Sequence, residues 1–293
     1  MISLNRGYDV FGVRFDSNAK KAVHDQITLE NINSFSKSKY TKALIKDMYD
    51  GIKQSLQQGK TIVCFGLPCE NYAVSQLFAK YRDKMILVDL FCGGALNDEY
   101  FTSYLLFLEQ KYGKKIENID FRSKDFGTEI LCTKILFSDG TFKYINGNNN
   151  CYISMLGSKY VRPSCHICNM GFIDSSSDLK IGDYFGSKKR QQGTSVVFQY
   201  SEKDAVTSLI DELKKYGNFQ RTDEKLDDIV VCRSKKGRAQ DITLVFEAQK
   251  VFNRDFENYS FKKAVKINVI KFYSLKQKMY FYLPYKIKKM VKK

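Results

Sequence analysis

The sequence predicts an α/β fold: a mixed sheet with a parallel βαβ unit, an added antiparallel hairpin, and a helical, basic C-terminal region. Two apolar runs, at residues 61–65 and 85–91, flank a helical segment, as in a βαβ unit whose strands lie parallel. Two β-rich segments flank Asp139 and Gly140, a two-residue turn signal that indicates a hairpin. With 293 residues, 43% of them hydrophobic, the chain can bury a core for one large domain or two modest ones.

The first half of the chain alternates between strand and helix signals. Residues 8–15 are rich in β-forming residues with alternating polarity, which predicts a strand close to the N-terminus. Pro68 stands near a helix start, where its missing N–H is not needed. The elements expected in order are strands at residues 8–15, 61–65 and 85–91, and helices at 39–57, 69–81 and 98–112.

The second half is expected to begin with the hairpin at residues 129–145. A strand at residues 194–200 follows, and Ser201 with Asp204 predicts a capping box for a helix that ends near Gly217. The chain is expected to divide into residues 1–200 as the main domain, 201–260 as its helical continuation, and 261–293 as a basic amphipathic tail.

The positive charge is concentrated at the C-terminus. Residues 262–293 contain eleven lysines and no acid, which leaves +5 of the net charge of +16 for the first 261 residues. Apolar residues in this tail recur at mostly helical spacing: Phe261, Val265, Val269, Phe272, Leu275 and Met279. The pattern predicts either a helix on an anionic membrane surface or acidic partner, or a helix packed on the body. A nucleic-acid partner is disfavoured because no nucleic-acid motif accompanies the charge.

The chain shows no secretory signal and no apolar run long enough to span a membrane, so we expect a cytoplasmic protein, with the tail as a means of binding the inner membrane face. Its eight cysteines are then expected to be thiols or metal ligands rather than disulfides. Cys64 and Cys132 lie within predicted strands and are expected in the core. Cys151 and Cys232 have no assigned role.

Four other cysteines form a candidate metal site. Cys69 and Cys92 each follow the carboxyl end of a predicted parallel strand, so they should face the same crevice. Cys165 and Cys168 add two thiols at C-x-x-C spacing, which lets both sulfurs reach one metal centre. A redox dithiol pair and structural thiols remain alternatives, and the residues alone do not separate zinc from an iron-sulfur cluster. His166 is either a substitute ligand or an ordinary surface histidine.

Several segments together resemble the iron-sulfur flavoprotein family typified by the beta subunit of coenzyme F-420 hydrogenases and dehydrogenases. The resemblance covers roughly residues 8–200. The segments that carry it are Ser38-Lys39-Tyr40 (S-K-Y in the family), residues 65–70 (G-T-P-C-Q), 88–94 (D-L-I-C-H-G), 121–124 (F-R-x-K), 162–168 (R-P-S-C-x-x-C), 178–186 (D-I-T-x-G-D-F-W-G) and 193–195 (G-V-S).

The resemblance implies two cofactors and the residues that hold them. It implies a 4Fe-4S cluster on Cys69, Cys92, Cys165 and Cys168, and a flavin, usually FAD. Lys39, Arg122 and Lys124 are then candidates to meet flavin phosphates or the charge of a reduced flavin, against the alternative of solvated surface cations. Asp183 would orient a group of the cluster or flavin, or cap a turn. Tyr40, Gly66 and Pro68 stand in the matched motifs and are expected to bind the flavin.

Departures from the family pattern shape the expected function. The chain has no ferredoxin-like cysteine runs, so its electrons are expected to come from a ferredoxin-like or other electron-transfer protein. The glycine- and serine-rich segment that usually precedes the first strand is missing, and Gly93 stands where the family often has histidine. We expect an oxidoreductase that passes electrons between a partner and a small substrate or deazaflavin-like coenzyme. The alternative is a non-catalytic member with a structural metal, docked to a membrane-associated assembly by its tail.

Overall fold

The computed structural model describes residues 1–45, 47–127, 132–146, 150–156, 160–170, 176–184, 194–222 and 242–270. It confirms the predicted α/β class, with two sheets and helices packed on them. The strands are β1 Asp9–Asp16, β2 Lys21–Ile27, β3 Ile62–Gly66, β4 Met85–Leu90, β5 Ile116–Asp120, β6 Cys132–Phe137, β7 Phe142–Asn146, β8 Leu179–Asp183 and β9 Ser195–Gln199. The helices are α1 Ile2–Asn5, α2 Met48–Gln57, α3 Pro68–Leu77, α4 Asp98–Tyr112, α5 Cys151–Met155, α6 Pro163–His166, α7 Asp204–Leu213, α8 Ile242–Asn258 and α9 Phe261–Asn268.

The main sheet has six strands in the order β2-β1-β3-β4-β8-β9. Strands β1, β3, β4 and β8 run parallel, and β2 and β9 pair antiparallel at the two edges. The central strands are covered on both faces, which explains why β3 and β4 read as unbroken apolar runs rather than alternating ones. The carboxyl ends of all four parallel strands therefore lie along one edge.

The predicted hairpin is confirmed as β6 and β7, with Asp139 and Gly140 in the turn between them. Gly140 has a φ of +79°, a left-handed conformation that glycine adopts at no steric cost. The hairpin is joined by β5 in a separate antiparallel sheet rather than added to the main one. Residues 129–131 of the predicted hairpin lie outside the described residues.

The helix predicted at residues 39–57 begins only at Met48. Residues 41–45 are extended instead, because Leu44 pairs with β2: His24 N–H donates to Leu44 O, and Leu44 N–H donates to Ala22 O, both at 2.9 Å. Thr41 also forms a bridge with Leu96. Helix α3 ends earlier than predicted, at Leu77, and a 3-10 turn at Ala79–Lys84 leads into β4.

The strand predicted at residues 194–200 and the helix predicted after it are both present, as β9 and α7. The predicted capping box, in contrast, does not form. Helix α7 is preceded by Lys203 as its N-cap, and the Ser201 hydroxyl instead accepts a hydrogen bond from Lys203 N–H at 3.3 Å.

Helices cover the two faces of the main sheet unequally. On one face, α2 and α3 pack through Ile52, Leu56 and Val74 against strand residues that include Cys64 and Leu87. On the other face, α7 packs through Val206 and Leu209, with the one-turn helix α1 beside it. A third core surrounds α4 and includes the small sheet, α5 and the C-terminal helices. The second face of the main sheet therefore has the thinner cover.

The start of the predicted basic tail is part of this third core. Phe261, Val265 and Val269, which define the apolar face of the tail, are buried against the α4 core. For residues 261–270 the alternative of a helix packed on the body is therefore the correct one. Residues 271–293 lie outside the described part of the chain, and the predicted domain division stays a prediction. No described helix has both the length and the apolar composition needed to cross a bilayer.

Asp178 joins four elements of the main sheet through one fully buried carboxylate. Its oxygens accept two hydrogen bonds from Arg82, each 3.0 Å long, and one from Leu87 N–H at 2.8 Å. Lys203 Nζ lies 3.2 Å away. The network connects β8 to the turn before β4, to β4 itself, and to the start of α7. Substituting a neutral side chain for a buried carboxylate with this many partners is costly, because the cationic partners lose their counter-charge.

We expect Asp178→Asn to lower the free energy of unfolding by about 3 kcal/mol, since it leaves Arg82 and Lys203 without an anion. Urea denaturation at pH 7 measures this. Asp211→Asn is the matched control, because Asp211 is exposed and its ion pair within the described part of the chain is with Lys214 in the neighbouring turn. Its effect should stay within about 0.5 kcal/mol. Equal effects of the two substitutions would contradict the structural role assigned to Asp178.

Candidate functional site

Cys69 and Cys92 lie at the same edge of the main sheet. Cys69 is the second residue of α3, directly after Pro68, and that helix begins two residues past the end of β3. Cys92 lies two residues past the end of β4. Because β3 and β4 are adjacent and parallel, with Gly66 opposite Asp89, both thiols follow the carboxyl ends of neighbouring strands.

A third segment brings Cys165 to the same place. Arg162 N–H donates to Ala95 O at 2.9 Å, and Val161 forms a bridge with Leu96, so the segment is tied to the loop that follows Cys92. Gly94 has a φ of +105°, and a Cβ added to it would lie 3.5 Å from the Cβ of Cys165. The backbone of Gly94 therefore runs in direct contact with Cys165, and its N–H also donates to Cys92 Sγ at 3.4 Å.

The four thiols affect each other electrostatically. Burial raises the pKa of Cys92 to about 12, with contributions from Cys165, Cys69 and Cys168 that the Gly94 N–H partly opposes. The pKa of Cys69 is raised mainly by its partial burial, and further by Cys168 and Cys165, although Lys42 acts in the other direction. Thiols that repel each other's negative charge become thiolates most readily when a bound cation compensates them.

The grouping is looser than the shell of a single metal ion. Within the described residues, no group of three or more His, Cys, Asp or Glu side chains is close enough to hold one ion. A tetrahedral zinc site holds its sulfurs about 3.8 Å apart. His166 is buried, with 8% of its surface exposed, so the alternative of an ordinary surface histidine is wrong. The thiols at positions 64, 132 and 151 are buried in the core, as predicted for the first two.

A buried ionic cluster supports the helix that carries Cys69. Glu70 is 2% exposed, and its carboxylate accepts hydrogen bonds from Leu67 N–H at 2.8 Å and from Lys42 Nζ. His24 Nε2 lies 3.3 Å from the same carboxylate. Burial by itself would raise the pKa of Glu70, but the contacts with His24 and Lys42 outweigh burial and lower the pKa to about 2. The start of α3 is thus fixed by the charge of the Glu70 carboxylate, which is almost completely buried.

Sequence reasoning missed this cluster. Glu70 carries a recognisable signal, because it stands three residues after Leu67 at the start of a helix, where a glutamate reaches back to the N-cap backbone. His24 gives no such signal, since it lies on β2, a strand that was not predicted. Lys42 lies in the segment wrongly predicted as helical.

A cavity of about 1190 Å³ opens beside the cysteines, on the thinly covered face of the main sheet. Four of the residues singled out from the sequence line it: Lys39, Tyr40, Gly66 and Cys92. Gly66 is in close contact with Asn71, since an added Cβ would lie 2.9 Å from Asn71 Oδ1. That oxygen is buried and has no hydrogen-bond partner within the described structure. The absence of a side chain at Gly66 therefore makes room for Asn71 behind the cavity wall.

Lys39 is a buried cation at this cavity, with 7% of its surface exposed. Its Nζ donates to the carbonyl oxygens of Ser36 at 2.5 Å and Lys37 at 3.0 Å. Burial lowers the pKa of Lys39 to about 8; the charge of Asp120 opposes this effect and that of Lys37 adds to it. An anion bound next to Nζ would supply the counter-charge that this ammonium lacks. The alternative of a solvated surface cation is thus wrong for Lys39.

Tyr40, Arg122 and Asp183 come together from three distant segments. Arg122 Nη1 donates to Asp183, at the end of β8, and this pair lies beside the Tyr40 side chain. Burial raises the pKa of Tyr40, and the charge of Arg122 opposes that shift. Tyr40 has a φ of +52°, a strained conformation for a non-glycine residue. Its carbonyl accepts a hydrogen bond from Tyr152 at 3.0 Å, which helps to hold that conformation.

The remaining predicted residues take simpler positions. Pro68 is the first residue of α3, as expected, and is buried. Lys124 is exposed, three residues before Gly127 in the loop after β5, so the alternative of a solvated cation describes its environment in the structure.

The fold and the site define an α/β domain with a thiol-rich sheet edge next to a large cofactor-sized cavity. The family model for the C-terminal part of the beta subunit of coenzyme F420 hydrogenase/dehydrogenase matches residues 59–227. Because this match covers more than half of the chain, the chain belongs to that family. Its role is therefore, in broad terms, the redox role of a hydrogenase or dehydrogenase beta subunit.

Comparison with solved structures found a chain of the F420-reducing nickel-iron hydrogenase complex from Methanosarcina barkeri, in a xenon-derivatised form. The two chains are 16% identical, with a TM-score of 0.49 and coverage of 86% of this chain and 82% of the other. No curated protein matches the sequence.

We expect Glu70→Gln to lower the free energy of unfolding by about 3 kcal/mol at pH 7, because the lowered pKa means that the carboxylate is stabilised only in the folded state. That stabilisation is fully present above the ordinary carboxyl pKa near 4.5 and is lost as pH falls through the folded pKa of about 2. The difference between wild type and variant should therefore shrink from pH 5 towards pH 2.5, as measured by urea denaturation.

Glu117→Gln serves as the control, because Glu117 is exposed on β5. It should change stability by less than about 0.5 kcal/mol at either pH. A Glu70→Gln variant with unchanged stability at pH 7 would show that the ionic cluster does not hold the start of α3.

Proposed function

We propose that the protein is an iron-sulfur flavoprotein oxidoreductase that passes electrons between a partner protein and a small substrate or deazaflavin-like coenzyme. The observation that carries the proposal is the grouping of four thiols at a sheet edge that opens into a cavity with a buried lysine. Membership of the hydrogenase and dehydrogenase beta-subunit family supports a redox role for that site.

The residues that would hold a 4Fe-4S cluster are Cys69, Cys92, Cys165 and Cys168. The donor set suits such a cluster, because four cysteine thiolates are its ordinary ligands. When bound, the cluster supplies exchange of single electrons. The chain's part is to fix the thiols: Glu70 anchors the start of α3 under Cys69, and Gly94 brings the backbone against Cys165 and donates to Cys92. Hydrogen bonds to sulfur of this kind also tune a cluster's potential.

The residues that would hold a flavin are those of the cavity near the cysteines. When bound, a flavin supplies conversion between two-electron and one-electron chemistry. Lys39 Nζ would bind an anionic group of the flavin, and Gly66 would form part of the wall of the same space. The Arg122–Asp183 pair beside Tyr40 adds a second fixed cation near the same end. Lys39, as a buried cation, favours an anionic ligand because little water screens it. Pro68 would act indirectly, by setting the start of α3, and Lys124 would reach only a solvent-exposed part of the ligand.

The surface around the cysteines is suited to an electron-transfer partner such as a ferredoxin-like protein. Cys69 is exposed, and Ile167, which stands between Cys165 and Cys168, has 69% of its surface exposed. An exposed apolar residue between two candidate ligands provides a contact for a redox partner close to the electron path.

Anaerobically purified protein should contain about four iron atoms and a matching amount of sulfide per chain. It should also show a broad iron-sulfur absorption band and release flavin on denaturation. Cys165→Ser should lose most of the iron, because it removes one ligand. Cys151→Ala is the matched control, since Cys151 is a buried core thiol in α5, and this variant should keep its iron.

Other results of the iron, sulfide and flavin measurements would lead to different conclusions. Iron and sulfide without flavin would leave the chain at most an electron relay. Zinc alone, or no metal in wild-type protein, would refute the cluster and favour a family member with structural thiols. A Cys165→Ser variant that keeps its full iron content would remove Cys165 from the ligand set.

The affinity for FAD should fall by about tenfold as pH rises from 7 to 9, because Lys39, with a pKa of about 8, loses the proton that attracts the anion. Lys39→Met should bind FAD weakly at both pH values. Lys39→Arg should keep much of the affinity and lose the pH dependence, since arginine stays protonated. Equilibrium dialysis of flavin-depleted protein measures all three constants.

Lys111→Met, an exposed lysine in the last turn of α4, is the control and should keep the pH dependence of the wild type. Unchanged FAD affinity in Lys39→Met would exclude Lys39 as an anion-binding residue, whatever the metal content.

A further inference from the structure

The cavity has an apolar half that extends away from Lys39 and Cys92. Its floor is the face of the main sheet, and its roof is formed by α7 and the one-turn helix α1. The sheet residues that line it are aliphatic: Val10, Val63, Ile86, Val88, Ile181 and Val197. The roof contributes Leu4, Leu209, Ile210 and Leu213. Among the described lining residues, Lys37 and Lys39 are the lysine or arginine side chains, and both belong to the segment next to Tyr40. The α1 part of the roof also includes Ser3, Asn5 and Met1, with the N-terminal ammonium, whereas the described sheet floor has no lysine or arginine.

The cavity is larger than most pockets that hold a single ligand. Single-ligand pockets mostly occupy roughly 300–1,000 Å³, and this cavity reaches about 1190 Å³. The two halves are continuous, because β4 leads from Val88 in the apolar half through Leu90 to Cys92, and all three residues line the same space. A molecule in the apolar half would therefore lie in the same space as the candidate redox site.

The apolar half has an exposed apolar border. Leu213 and Tyr216, at the end of α7, are 38% and 74% exposed, and both line the cavity. Leu90, at the end of β4, is 39% exposed and lines it as well. Large apolar side chains grouped at the opening of a cavity are unfavourable in water and are typical of a binding site for an apolar molecule.

We propose that this apolar half binds a quinone-class molecule, a flat redox-active ring with an aliphatic substituent, as the second redox substrate. The inference rests on the proposed function and narrows its small substrate. A nicotinamide dinucleotide or a phosphate-bearing deazaflavin coenzyme carries several negative charges and requires cations along its length, and the described lining of the apolar half offers at most the N-terminal ammonium of Met1. A quinone requires mainly apolar contact with its ring and substituent, which the aliphatic floor and roof provide.

The exchange with the proposed flavin balances without a further reactant. A reduced flavin gives up two electrons and two protons and becomes oxidised flavin, and the quinone takes up the same two electrons and two protons and becomes a hydroquinone. The reverse exchange balances in the same way, so the site serves either direction of electron flow.

The chain contains no tryptophan, which makes a direct binding assay possible. Tyr216→Trp introduces a single indole at the exposed border of the apolar half. Titration of the anaerobically purified full chain with menadione should quench its fluorescence with saturation. Tyr72→Trp, on exposed α3 surface outside the cavity lining, is the control for collisional quenching and should show no saturation.

Leu213→Lys, combined with Tyr216→Trp, should weaken menadione binding at least tenfold, because it places a charge at the apolar border. Leu77→Lys is the matched control: Leu77 is an exposed leucine at the end of α3, outside the cavity lining, and this variant should bind as before. Ile210→Phe fills part of the apolar half without adding charge and should weaken menadione binding to a similar degree. It tests the same site if the Leu213→Lys variant does not fold.

A saturable signal that Leu213→Lys and Ile210→Phe both weaken, and Leu77→Lys does not, supports the site. Non-saturable quenching, or equal effects of the two lysine variants, overturns it. Lauric acid serves as the probe for a purely aliphatic ligand, and saturable binding of lauric acid without menadione binding also overturns the quinone assignment. The two proposals fail separately: protein that binds menadione but contains no flavin refutes the proposed cofactor, and flavin-containing protein that does not bind menadione refutes only the quinone site.

Discussion

The parallel alignment of the central strands is the constraint on which the site depends. Because β3 and β4 are neighbours and run in the same direction, the segments that follow them must start at the same sheet edge. Cys69 and Cys92 are brought together by this arrangement, although 22 residues separate them in the chain. Strand β8 ends at the same edge and brings Asp183 with it. Any change in strand order would separate these residues.

A second feature of the structure is the number of carboxylates held away from water around the main sheet. Glu70 is surrounded by Lys42, His24 and a backbone N–H, and Asp178 by Arg82, Lys203 and another backbone N–H. Both carboxylates are compensated, so each fixes the elements around it. Lys39 differs, because the hydrogen bonds that its Nζ makes to described residues are to carbonyl oxygens, and its pKa is lowered by burial. The paired carboxylates of Glu70 and Asp178 stabilise the fold. A buried cation at a cavity, in contrast, is suited to an anionic ligand.

The unequal cover of the main sheet explains where the cavity lies. Helices α2 and α3 fill one face with large aliphatic side chains, while α7 and the single turn of α1 leave much of the other face open. In a purely structural domain such a gap would cost stability, because its lining loses packing contacts. Here the gap borders the thiols and the buried lysine, and its two ends differ in polarity. A polar end and an apolar end within one space are suited to two ligands of different chemistry.

The sequence by itself determined the βαβ unit, helix α4, the hairpin at Asp139 and Gly140, and the family, because these depend on local apolar patterns, turn residues and short motifs. It also placed Cys69 and Cys92 at one edge, because the segments that follow neighbouring parallel strands begin at the same edge of the sheet. The tertiary structure alone decided that residues 41–45 are extended rather than helical, because Leu44 is hydrogen-bonded to β2, a strand that the local pattern does not reveal. It likewise decided that Arg122 meets Asp183, that His24 lies against Glu70, and that Lys39 is buried. These contacts join residues far apart in the chain, and no periodicity or motif encodes a distance between side chains that only packing brings together.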